Sequence, residues 1–160
     1  MTVGPGLAAC GGEHCACQRL RRLGVELAEA PTPEGILGYY DPDSRRVVVR
    51  PGLSWRARRS TIAHELAHVE MGDSTEPTWW AQQNSERVED AADEIAARSL
   101  MPSLSDLVDV LEWATGVDQI ADAMEVDVAT VRARMRTLTD NERRYVDRRM
   151  AMPVLRANAC

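Results

Sequence analysis

The sequence predicts a mainly α fold with a small β-hairpin, an α+β domain. Three observations carry this. Residues 54–71, SWRARRSTIAHELAHVEM, contain no Pro or Gly and begin with a capping residue, so they predict one long helix. Residues 85–102, SERVEDAADEIAARSLMP, predict a second helix that stops at Pro102. Ahead of both, GILGYY (35–40) and RRVVVR (45–50) flank Asp-Pro-Asp-Ser (41–44), which predicts two strands joined by a turn.

In chain order, residues 1–17 are rich in Gly and Cys and read as a flexible segment. Leu20, Leu23, Val25 and Leu27 with three arginines predict a helix from about Cys17 to Ala30, ended by Pro31 and Pro33. The hairpin follows, and Pro51 and Gly52 break its second strand. Ser54 is the expected cap of the helix that runs to about Met71, and Gly72 is its expected end. A polar loop containing Trp79 and Trp80 leads to the second long helix. Helices continue to the C-terminus. The expected divisions are a flexible segment (1–17), a core (18–104) and a helical C-terminal part (105–160).

The chain has 160 residues and a net charge of −6, with all 19 positive charges from Arg. Such a balance does not mark a general nucleic-acid binder. No apolar run is long enough to span a membrane, and the first residues lack the basic and apolar regions of a signal peptide. The expected location is cytoplasmic. A reducing cytosol suits four cysteines left as thiols.

Chemistry concentrates in TIAHELAHVEMGD (61–73). A helix turns once in about 3.6 residues, so His64 and His68 stack on one face and can grip one cation. Glu65 projects beside them, where it can take a proton from a water at that cation. The bland alternative is a half-buried helix with two incidental histidines. Two of the chain's three histidines fall in this spacing, with Glu at the required place, which favours the metal.

A catalytic zinc ordinarily has three protein ligands. Glu86, Glu89, Asp90, Asp93 and Glu94 of the second long helix are candidates. Glu89 and Asp93 are four apart and adjoin the apolar side marked by Val88, Ala91, Ala92, Ile95 and Ala96. Glu89 could bind the metal while Asp93 takes the N–H of a ligand histidine. A merely solvated acidic face is the competing reading.

RRSTIAHELAHVEMGD followed by ERVEDAADEIAARSLMP resembles the ImmA/IrrE family of metallo-endopeptidases, and the hairpin before it is similar as well. The resemblance spans about residues 20–150. It implies a zincin-like core, Glu89 as third ligand and the Leu-Met-Pro signature at Leu100-Met101-Pro102. Ile95 departs from the family's usual aromatic residue and is expected to alter packing. The metal implied is zinc, with manganese also suited to these ligands. Glu65 is the expected proton acceptor. Tyr39, Tyr40, Tyr145 and several arginines are candidate donors to the oxyanion, with no choice between them.

Three features stand outside this site. The Trp79–Trp80 pair could touch substrate, although packing is the commoner role. Cys10, His14, Cys15 and Cys17 could bind a second zinc, but their spacing matches no familiar arrangement, and free thiols are the expectation. QIADAMEVDVATVRARM (119–135) resembles a helix-turn-helix, with Ile120, Ala121, Met124, Val126 and Val131 inward and Arg132, Arg134 and Arg136 on the second helix. Glu125 stands where such turns usually have Gly. Residues 118–160 hold eight Arg against seven acids, too weak a balance for strong DNA binding. The expectation is an endopeptidase whose substrate is a helix-turn-helix repressor, as the resemblance implies. The rival is a helix-turn-helix DNA-binding regulator with a structural or inactive metal site.

Overall fold

The computed structural model describes residues 15–72 and 79–151, the side chains of 79–85 excepted. Described in order are α1 (Ala16–Arg22), β1 (Glu26–Glu29), β2 (Gly38–Asp41), β3 (Arg46–Val49), α2 (Trp55–Met71), α3 (Trp79–Leu100), α4 (Leu104–Leu111), α5 (Val117–Ala123), α6 (Val128–Arg136) and α7 (Asp140–Ala151). The fold is mainly helical with one small sheet, as the sequence predicts.

The first helix is much shorter than the expected 17–30. Gly24 takes a left-handed φ of 70° just after it, and the chain leaves the helix there. Val25 and Leu27, which resembled helical positions, instead lie just before β1 and within it, Val25 buried and Leu27 half-buried. This strand joins the hairpin to make a mixed sheet in the order β1-β3-β2. β1 runs parallel to β3, with Leu27 opposite Val47. β2 runs antiparallel to β3, with Tyr39 opposite Val48. The turn between them is organised by Asp41, whose carboxylate accepts the Ser44 hydroxyl at 2.6 Å and the Asp43 N–H at 3.0 Å.

The chain is also ordered earlier than expected. Cys15 precedes the first turn of α1, and Cys17 lies half-buried against Leu20, Val25 and Val47. Burial raises the Cys17 thiol pKa, and the nearby Arg58 charge opposes this. Cys10 and His14 lie outside the described residues.

Helix α2 forms because its ends are satisfied. The Ser54 hydroxyl accepts the Ala57 N–H at 3.2 Å, and Gly72 closes the far end at φ 71°. Ile62 and Leu66 pack with Leu20, Val25, Val47 and Val49 of α1 and the sheet. Trp79 and Trp80 belong to the first turn of α3 rather than to a loop. Ala92, Ala96 and Ala97 of α3 are buried, and such small side chains let α2 and α3 approach closely. Ile95, expected on the packed side, is 36% exposed, so its departure from an aromatic residue leaves the core untouched.

Beyond α3, the fully buried Met101 joins Ala97 to Leu107, Ala121, Val126 and Val131. The core therefore continues from α3 into α4, α5 and α6. Glu125 takes φ 55° between α5 and α6, so a Glu fills the left-handed turn position that usually favours Gly. Arg134, on α6 as the sequence places it, is only 2% exposed. Its guanidinium donates to the Met101 carbonyl at 3.2 Å and to Glu142 of α7 at 2.7 Å. Arg98 reaches the same carboxylate at 3.0 Å. Burial opposes the charge on Glu142, but hydrogen bonds from Arg134, the Thr139 backbone and Arg98 prevail and hold its pKa at about 2.

Candidate metal centre

Antiparallel α2 and α3 build the site, with His68 facing Glu89 and His64 facing both Glu89 and Asp93. One ligand atom each from His64, His68 and Glu89 lie within 4.8 Å of one another. His64 Nε2 is 3.1 Å from His68 Nε2 and 3.1 Å from Glu89 Oε2, while His68 Nε2 is 3.5 Å from Glu89 Oε1. These spacings test the fit to an ion. Tetrahedral ligands about 2.0–2.1 Å from zinc stand roughly 3.3 Å apart, and the contacts here, which use both Glu89 oxygens, are of that order. The donor chemistry agrees. Asp93 Oδ1 lies 3.0 Å from His64 Nδ1, placed to accept its N–H and leave a lone pair on Nε2. That lone pair and the Glu89 carboxylate are then two acceptors 3.1 Å apart, which a cation would satisfy.

Glu65 sits beside the triangle, 6% exposed. Burial raises its pKa. The positive potential of His64 and His68 opposes the rise, the Glu89 charge adds to it, and the Tyr40 backbone N–H bonded to the carboxylate lowers it. The sheet register explains that last bond. The Arg50 N–H donates to the Leu37 carbonyl at 2.8 Å, so Leu37, Tyr39 and Asp41 turn their backbone groups toward β3. Gly38 and Tyr40 then direct theirs off the free edge of the sheet, toward α2. The approach is close. A Cβ on Gly38 would stand 2.5 Å from Thr61 Cγ2 and 2.9 Å from the Val48 carbonyl.

The triangle opens into a cleft of about 520 Å³. One wall is β2 with the preceding residues Ile36 and Leu37, and the facing wall is the first turn of α6 with Asp127, Ala129 and Thr130. Tyr39 and Tyr40 line it. Tyr145 does not, since it lies on α7 against the Val108, Leu138 and Val146 cluster, and its hydroxyl accepts from Arg149 at 3.2 Å. The chain matches the IrrE N-terminal-like domain of Peptidase_M78 over residues 20–136. It belongs to the Peptidase_M78 family. This is a metallopeptidase family of zincin-like fold, so a metal and a protein substrate follow at that level. No curated protein matches the chain significantly. No helix among the described residues is long and apolar enough to cross a membrane.

Thus the structure brings together His64, Glu65, His68, Glu89 and Asp93. It adds cleft residues that the sequence reading missed. Gly38 carried a signal, as a glycine inside a strand pattern. The cleft wall on α6 carried none, because it depends on contacts far apart in sequence. Asp127 N–H donates to Ser60 Oγ at 3.0 Å, and Arg59 donates to the Glu125 carbonyl at 2.8 Å. Arg136 reaches Asp90 at 3.1 Å and Asp93 at 3.7 Å.

Proposed function

We propose that this Peptidase_M78 protein is a zinc-dependent endopeptidase of the cytoplasm that cuts a transcriptional repressor at one site. The carrying observation is the triangle of His64, His68 and Glu89 with buried Glu65 at its side, open to a cleft edged by a strand. His64, His68 and Glu89 would hold the ion, and Asp93 would orient His64. When bound, zinc would polarise the scissile carbonyl and make a water more acidic; manganese suits the same ligands.

The chain's own groups do the rest. Glu65 accepts the proton of the attacking water and returns it to the leaving amine. Its burial favours proton acceptance, while the Tyr40 N–H fixes the carboxylate in place. The free edge of β2 receives the substrate as an extended strand through Gly38. Tyr39 and Tyr40 border the cleft and stay the candidate tyrosine donors to an oxyanion.

Support for one chosen partner is chemical. The sequence lacks the nucleotide-binding pattern GxxxxGK[ST] that would power unfolding. Exposed, flexible segments are therefore its targets. The resemblance to ImmA/IrrE proteins points to a helix-turn-helix repressor, whose cleavage would derepress a phage, mobile-element or stress operon. The rival reading as a DNA-binding regulator loses support because α6 turns its first turn to the cleft and buries Arg134. The test is to mix the purified protein, zinc and the repressor encoded beside its gene. A single discrete cut is expected. An intact repressor with casein freely degraded would overturn the antirepressor role.

A further inference from the structure

Ile36 and Leu37 are 43% and 39% exposed, yet they line the cleft rather than an open surface. They are held there. Arg50 donates to the Thr32 hydroxyl at 2.9 Å and to the Pro33 carbonyl at 2.7 Å, and Thr32 in turn bonds the Ile36 carbonyl. The facing wall is equally fixed by the bond from Asp127 to Ser60 and by the grip of Arg59 on the turn before α6. Ala129 on that wall, and Ala96 of α3 in the same cleft, present only methyl groups. The one charged side chain on the α6 wall, Asp127, is engaged by the Thr130 N–H at 2.7 Å. A fixed apolar wall of Ile36 and Leu37 facing a fixed wall of small side chains makes a preorganised receptacle for an apolar side chain.

We propose that Ile36 and Leu37, with Ala129 and Thr130 opposite, form a specificity subsite that selects an aliphatic residue next to the cut bond of an extended substrate. The proposal rests on the endopeptidase reading. Burying one aliphatic side chain in such a subsite changes affinity by roughly tenfold or more. Leu37 and Ala129 are therefore specificity-determining, and they act without touching the metal triangle.

The test uses the zinc-loaded Glu65→Gln protein and fluorescent peptides that differ at one position, Leu, Ala or Asp. Binding is read by anisotropy, and cleavage of the same peptides is read with the Glu65 protein. The Leu peptide is expected to bind at least about tenfold more tightly than the Asp peptide. Leu37→Asp should erase that preference, and Ala129→Met should shift it from Leu toward Ala. Zinc stoichiometry is measured for each variant as a check on folding. Preferences that stay the same in both variants would overturn the subsite, whatever the cleavage result. Leu selectivity that moves with Leu37 and Ala129, without cleavage of any peptide, would uphold the subsite and sink the endopeptidase reading.

Discussion

Gly38→Ala should damage the fold and the site together. The added methyl would lie 2.5 Å from Thr61 Cγ2, 2.9 Å from the Val48 carbonyl and 3.6 Å from Glu65 Cγ. The first two contacts fall far below ordinary separation. Thr61 is buried and β-branched, so its methyl cannot swing aside cheaply. The Val48 carbonyl belongs to the central strand, paired on both sides. Strand β2 must therefore move off α2. Overpacking of this kind costs about 2 kcal/mol, which for a domain of this size lowers Tm by roughly 4–8 °C. The same movement draws the Tyr40 N–H away from Glu65, and a displacement near 1 Å at a reacting group costs on the order of 100-fold in rate. Thermal melting and peptide cleavage would be measured on Gly38→Ala, Thr61→Ser and the double variant. Removing the Thr61 methyl should relieve one of the two contacts, so the double variant should be more stable than the sum of the singles by about 0.5 kcal/mol or more. Strict additivity, or an unchanged Tm in Gly38→Ala, would refute the reasoning.

Glu142→Ala leaves Arg134 buried without its carboxylate and should cost about 3–5 kcal/mol in urea unfolding, more than the paired change Arg134→Met with Glu142→Leu. Because the folded Glu142 pKa is depressed from 4.5 to about 2, its contribution is fully present above about pH 5 and fades as pH falls toward 2. The shift alone corresponds to about 3 kcal/mol, and solvent around a side chain 21% exposed reduces that to about 1–2 kcal/mol. Acid titration of stability should lose that slope in Glu142→Ala. Glu125→Gly removes a left-handed non-glycine and should raise stability by about 1 kcal/mol; a lower Tm would contradict the conformational argument.

The sequence made the candidate triangle of His64, His68 and Glu89 legible because its helical spacing is local. His64, Glu65 and His68 follow from one turn of α2, and Glu89 and Asp93 from one turn of α3. The pairing of those turns came from the resemblance rather than from spacing. The caps Ser54 and Gly72 were readable for the same local reason. Strand β1 was missed because Leu20, Leu23 and Leu27 mimic a helical stripe, and only Gly24 marks the break. The burial of Arg134 was not legible, because its partner Glu142 lies on the next helix. The cleft wall on α6 depends on Ser60, Arg59 and Asp127, which meet only after folding.

The central claim is that one metal ion held by His64, His68 and Glu89 works with Glu65 to cut peptide bonds. Metal content and cleavage measured on the same samples test it most directly. The protein should bind one zinc at this site and lose cleavage to a chelator, regaining it with zinc. Glu65→Gln should keep the zinc while cleavage falls by about 10²–10⁴-fold, and Glu89→Ala should lose both. Cleavage at the unaltered rate by Glu65→Gln, or by metal-stripped protein, would contradict the account.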